Sequence, residues 1–229
     1  IYDKDNNEAG NLYGQKGTPV KIDQISKNIT NAVVATEDRT FYKNHGVNLK
    51  RFALAAVTLG RFGGGSTITQ QLAKNAYLTQ EQTIDRKARE FFLALEINKH
   101  YSKDEILDMY LNRIYFGQGT YGIESASLYY FGKHVQDIDL AEAATLAAIP
   151  KSPNYYNPFE NPKDSKARQE VVLDQMAKYG YITEAQAAKA KAEKLQLNNH
   201  KNQQKDNLSY FIDYCSQHII EEFGADALY

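Results

Sequence analysis

Among the helix-start signals of this chain are four pairs in which a side chain able to cap a helix is answered three residues later by Glu or Gln. The pairs are Thr79 and Gln82, Ser102 and Glu105, Asp139 and Glu142, and Thr183 and Gln186. In that spacing the first side chain accepts from a backbone N–H of the opening turn, and the second reaches back to the cap's own N–H. One such pair constrains little. Four, each ahead of apolar residues recurring at a period of about 3.6, predict an α-dominated fold.

Helices are expected from Ile25 through the stripe Ile29, Val33 and Val34 to Glu37, and over residues 49–59, 81–99, 106–114 and 140–149. Residues 163–178 and 184–195 follow as an antiparallel pair around Gly180-Tyr181-Ile182, and residues 208–223 as a last amphipathic helix. Phe91 to Ile97 is apolar nearly all round, which predicts that the second half of its helix is buried. Residues 150–162 hold four of the five prolines and read as an irregular crossing. Residues 1–24 read as an extended lead-in with a turn at Asp5 to Gly10, and residues 198–207 as a polar, mobile segment.

Composition removes several classes of function. A net charge of −1 over 229 residues gives no footprint for nucleic acid. The lone Cys215 excludes an internal disulfide, and His45, His100, His134, His200 and His218 show no metal-ligand spacing. No apolar run approaches the roughly 20 residues of a membrane span. The chain begins with Ile1 rather than Met, so it is expected to be a piece of a longer protein.

The chemistry concentrates in four places. Gly63-Gly64-Gly65-Ser66-Thr67 leads into a helix on which Thr67, Gln71 and Lys74 share a face. A polar stripe behind a glycine-rich, amide-bearing entrance suits an anionic, hydroxyl-rich ligand, and a solvated helix face is the plain alternative. The glycine spacing imitates a P-loop but lacks the lysine after the last glycine. Glu37-Asp38 closes an apolar helix, a setting suited to general acid–base work or to an ordinary solvated helix end. Arg86-Lys87 sits one turn before Glu90, as a phosphate clamp beside a carboxylate or as simple i,i+4 pairing. Tyr110 to Glu124 adds aromatics and glycines that suit either a sugar-binding wall or a tight packed corner. Asp137 and Asp139 resemble a metal-binding acidic pair, but Asp139 is better explained as a helix cap.

Together these segments resemble the peptidoglycan glycosyltransferase domain (glycosyltransferase family 51) of bacterial class A penicillin-binding proteins. Glu37-Asp38-x-x-Phe41-Tyr42 looks like the family's first motif, Gly64 to Asn75 its second, Arg86-Lys87-x-x-Glu90 its third, Tyr110 to Gly132 its fourth, and Leu140 to Pro158 its fifth. Two positions depart. Asn44 stands where the family usually has histidine, and Gln82 where many members have arginine.

The resemblance implies a mainly α fold, with a lysozyme-like helical lobe and a small membrane-facing jaw at roughly residues 47–63. The glycosyltransferase domain would span residues 25–197, and residues 198–229 would lead towards a missing transpeptidase domain. The implied reaction is inverting polymerisation of lipid II into β-1,4-linked glycan, releasing undecaprenyl pyrophosphate. Glu37 would be the general base and Glu90 a second catalytic carboxylate, with a divalent cation (Mg or Mn) possible at Glu90 and no other cofactor. Asp38, Phe41, Ser66, Thr67, Gln70, Gln71, Lys74, Arg86, Lys87, Asn112 and Tyr115 would bind substrate. The implied partners are lipid II, the lipid-linked glycan chain, the membrane surface and other cell-wall synthesis proteins. The implied location is the outer face of the bacterial cytoplasmic membrane, with the anchor absent from this fragment. Moenomycin, an inhibitor of the family, would bind. The competing readings are a glycan-cleaving enzyme of lytic transglycosylase or muramidase type, and a non-catalytic binding module.

Overall fold

Ile29, Ala32 and Val33 recur at helical spacing and are all buried, and they turn the first helix, α1 (Lys27–Glu37), inward against its neighbours. The computed structural model describes residues 19–48, 66–77 and 83–198. Seven further α-helices follow α1 among these residues: α2 (Ile68–Tyr77), α3 (Ile84–His100), α4 (Lys103–Leu111), α5 (Ile123–Phe131), α6 (Leu140–Ala148), α7 (Pro162–Lys178) and α8 (Glu184–Ala192). They belong to one compact unit spanning Gly17–Leu197. The mainly α expectation holds. Among the described residues the only β pairing is an isolated bridge between Tyr115 and Tyr121.

The centre is α6. Its sequence is alanine-rich, so neighbouring backbones approach closely, and every residue from Ala141 to Ala148 is buried. It packs against α1 and α7, and α7 in turn against α8. Alongside, α2 packs on α3 and α4. Reciprocal capping boxes open α4 at Ser102, α6 at Asp139 and α8 at Thr183, as their spacing predicts.

Several expectations are corrected. The helix expected over residues 81–99 starts at Ile84, because Thr83 has extended backbone angles and its side chain accepts from Arg86 N. Its second half is not buried all round. Glu90, Ala94 and Ile97 face inward, while Phe92 is 65% exposed, since a single helix face meets α2 and α4. The α4 helix ends at Leu111 and α8 at Ala192, each about one turn early. Unforeseen was α5, whose ends are set by Gly122 (φ 82°) and Gly132 (φ 66°). A Cβ on Gly122 would come within 2.9 Å of the Asn112 carbonyl oxygen. The cap pair Thr79 and Gln82, the expected helix over residues 49–59, most of the jaw, the lead-in as far as residue 18 and the segment from residue 199 lie outside the described residues.

Candidate active site

The first turn of α2 is built by a further capping box of the same spacing, between Thr67 and Gln70. Thr67 Oγ1 accepts from Gln70 N at 3.1 Å, and Gln70 Oε1 accepts from Thr67 N at 3.0 Å. Thr67 Oγ1 also donates to the Gly46 carbonyl at 2.6 Å, tying the turn to the loop after α1. Thr67 therefore caps the helix and Ser66 does not. Thr67 and Gln70 are both buried, with these polar atoms engaged internally.

Three carboxylates meet α2 at different heights. Asp38 is fully buried. Its Oδ1 accepts from Thr40 N at 3.2 Å and Thr40 Oγ1 at 2.9 Å, and its Oδ2 from Asn44 Nδ2 at 2.8 Å and Ile68 N at 3.4 Å. Ile68 N is one of the donors that a helix start leaves without an intrahelical partner, so Asp38 pins α2 by its first residue. Glu90 is 2% exposed. It pairs with Arg86 Nη1 at 3.1 Å and with Lys87 Nζ, and Lys87 also donates to Ser66 Oγ at 2.8 Å. This cluster fastens α3 to the entrance of α2.

Glu37 is different. It is only partly buried, and its Oε2 accepts from Gln71 Nε2 at 2.8 Å, one turn beyond Ile68. Its Oε1 has no hydrogen-bond partner among the described residues. Gln71 Oε1 accepts from the buried Tyr110 hydroxyl at 3.1 Å. Burial, and then the Glu37 charge beside it, hold the Tyr110 phenol well above its usual range, so it remains a donor. Tyr110 therefore turns the Gln71 carbonyl towards itself and the Gln71 amide towards Glu37.

Lys74 lies one turn beyond Gln71 on the same face of α2, half-buried, with no bond to another described side chain. Arg86 and Lys87 meet the opposite end of α2. Phe41 is fully buried beneath the Lys103 ammonium, 4.9 Å from its ring centroid. Asn112 is spent on the chain at Val20, accepting from its N–H at 2.9 Å and donating to its carbonyl at 2.8 Å. Tyr115 packs on Tyr121 with ring centroids 4.8 Å apart. Asp38, Phe41, Thr67, Gln70 and Asn112 hold the frame, whereas Glu37, Gln71 and Lys74 form its open face.

Sequence reasoning did not select Tyr110 and Lys103 as site residues. Tyr110 looked like one aromatic among several, and only its burial beside Gln71 sets it apart. The donor set at Glu90 does not suit a divalent cation, which wants several oxygen ligands, because both Glu90 oxygens already face cations. Among the described residues no group of three or more His, Cys, Asp or Glu gathers.

A family model described as Transglycosylase matches residues 5–177. The chain belongs to the transglycosylase family. Membership makes it an enzyme of peptidoglycan glycosyl transfer, as the motif resemblance implied. Penicillin-binding protein 2a of Streptococcus pneumoniae is 58% identical over 190 residues, covering 83% of this chain and 26% of that protein. Penicillin-binding protein 1F of Bacillus subtilis is 42% identical over 228 residues, covering 98% of this chain and 32% of that protein. This transglycosylase chain thus spans roughly a quarter to a third of the relatives it matches. A crystal structure of penicillin-binding protein 1A from Haemophilus influenzae covers 94% of this chain and 23% of its own, with a TM-score of 0.54 at 22% identity, which speaks to the fold. No helix among the described residues is long and apolar enough to cross a membrane.

Proposed function

We propose that the chain polymerises lipid II by a single inverting displacement with Glu37 as general base. The carrying observation is the contrast among the three carboxylates. The oxygens of Asp38 and Glu90 are taken by internal donors and cations, whereas Glu37 Oε1 has no partner among the described residues and Oε2 holds the group in one orientation. The 4-hydroxyl of the acceptor GlcNAc loses its proton to Glu37 as its oxygen attacks the anomeric carbon of the lipid-linked chain. The bond from that carbon to the diphosphate breaks, and undecaprenyl pyrophosphate leaves with the electron pair.

The leaving diphosphate needs positive charge. Lys74 supplies a cation with no described carboxylate against it. Arg86 and Lys87, paired with Glu90, offer a second anchor beside Ser66 at the start of α2. Ser66 and Tyr115 line the approach. Glu90 acts by orienting the two cations rather than by moving a proton. Glycan cleavage would leave these cations without a diphosphate to hold, so no observation favours that reading. The implied setting is the outer face of the cytoplasmic membrane, where lipid-linked donor and acceptor meet.

The test is polymer formation from lipid II by Glu37→Gln. Loss of a general base predicts a drop of roughly 10²–10⁴-fold in rate. A Glu37→Gln protein polymerising near the native rate would remove the assignment.

A further inference from the structure

The buried Asp38 carboxylate is met only by neutral donors among the described residues: Thr40 N, Thr40 Oγ1, Asn44 Nδ2 and Ile68 N. A buried carboxylate without a cation is costly, and the Lys103 ammonium reaches it through one amide. Lys103, the first residue of α4, donates Nζ to Asn44 Oδ1 at 3.1 Å, and Asn44 passes its own Nδ2 to Asp38 at 2.8 Å. The Lys103 ammonium also bonds Asn98 on α3 and lies over the Phe41 ring. Asn44 Oδ1 additionally accepts from Gly46 N at 3.0 Å, and the Gly46 carbonyl receives the Thr67 hydroxyl. Two arms therefore run from Lys103 to the start of α2, one through Asp38 to Ile68 and one through Gly46 to Thr67.

We propose that Lys103 is a positioning residue for glycosyl transfer: through the Asn44 amide it sets Asp38 and the Gly46 loop, which fix the first turn of α2 and so place Gln71 against Glu37. The inference rests on the reading of Glu37 as base. Lys103 touches neither substrate nor the reacting atoms, and its influence on the rate travels through packed, hydrogen-bonded elements. Burial lowers the Lys103 pKa, and the Asp38 charge works against that lowering, in keeping with a cation held inside on behalf of the carboxylate. An aliphatic residue of similar length keeps the packing over Phe41 and removes the charge and the donors, which makes Lys103→Met the informative change.

The experiment measures kcat and KM for lipid II in the full chain, with folding followed by circular dichroism. Lys103→Met is expected to lower kcat by roughly 10- to 100-fold with KM little changed, the scale of a misplacement of about 1 Å at the reacting groups. In a Gln71→Ala background the same substitution should cost at most about twofold, because its route to Glu37 is already cut. Unchanged kcat in the single variant, or an undiminished loss in the Gln71→Ala background, would overturn the proposal. Where Lys103→Met fails to fold, Lys103→Gln removes the charge, keeps a donor and carries the same measurement. Glu37→Gln assayed in parallel separates the two ideas. If Glu37→Gln stays active, the base assignment falls; if it is inactive while Lys103→Met is unaltered, the Lys103 inference alone falls.

Discussion

Gln71 Nε2 and Glu37 Oε2 meet at 2.8 Å across 34 residues of sequence, and the carboxylate is thereby held in one orientation. A base that must take a proton from a positioned hydroxyl gains from such fixing, since geometry precedes pKa in deciding whether transfer occurs. Gln71→Ala should lower kcat for polymerisation by roughly 10- to 100-fold, with a smaller change in KM. Tyr110→Phe should follow in the same direction but more weakly, costing about 1 kcal/mol of stability for the lost hydrogen bond. Steady-state kinetics on lipid II with thermal melts of both variants checks this. A Gln71→Ala enzyme at native kcat would show that Glu37 needs no such support.

Lys74 stands on the same face one turn further along, and no bond to another described side chain would be broken by removing it. Lys74→Ala should therefore leave the melting temperature within about 2 °C of native, as expected for a surface change of under about 0.5 kcal/mol. Its effect should be on the donor, as weaker binding of the lipid diphosphate and a flatter dependence of rate on ionic strength. Rates across a salt series, compared with the native chain, provide the check. Identical salt dependence would remove Lys74 from the diphosphate site.

Much of this arrangement could be read from the residues, and what could not has a common physical cause. Capping boxes and periodicity are local, so Ser102, Asp139 and Thr183 open their helices as expected. Local pattern also marked Glu37, Gln71, Lys74 and the Arg86-Lys87-Glu90 trio. Which side of each residue faces the ligand depends on partners far along the chain. Asn112 looked like a site residue, yet its amide is consumed by Val20, 92 positions away. Phe92 sits in an apolar run, yet faces outward because the described neighbours of α3, namely α2 and α4, meet its other face. Asn44 looked like a weakened histidine position, and only the fold reveals that its amide joins Lys103 to Asp38.

Gly46 carries a prediction about stability. Its φ of 87° lies in the region that L side chains seldom adopt, and a Cβ there would fall 2.3 Å from the Ala94 carbonyl oxygen of α3. That neighbour is helix backbone and cannot step aside cheaply. Gly46→Ala should therefore destabilise the chain by about 3 kcal/mol or more, combining strain of about 1–3 kcal/mol with the clash. The same loop receives Thr67, so the start of α2 should loosen with it. Chemical denaturation gives the stability, and hydrogen exchange at α2 reports the loosening. A fully stable Gly46→Ala protein would contradict the close approach of this loop to α3.

His134 supplies the pH dependence. Its Nδ1 lies 2.6 Å from Oε1 of the buried Glu124, whose Oε2 accepts from Val135 N at 2.9 Å. The hydrogen bond to Glu124, then the charge of Glu124 and more weakly that of Asp137, raise the His134 pKa, while slight desolvation opposes them. A histidine whose folded pKa lies above its unfolded value of about 6.5 stabilises the fold fully below that value. The contribution is then lost as pH rises through the folded pKa. The difference in melting temperature between the native chain and His134→Ala should accordingly be largest below the unfolded value and shrink as pH rises through the raised folded pKa. His134→Gln keeps a donor for Glu124 but no titrating charge, so its melting temperature should track the native chain at high pH and fall below it at low pH. A native-to-Ala gap that widened with rising pH would mean that the neutral imidazole, rather than its charge, secures Glu124.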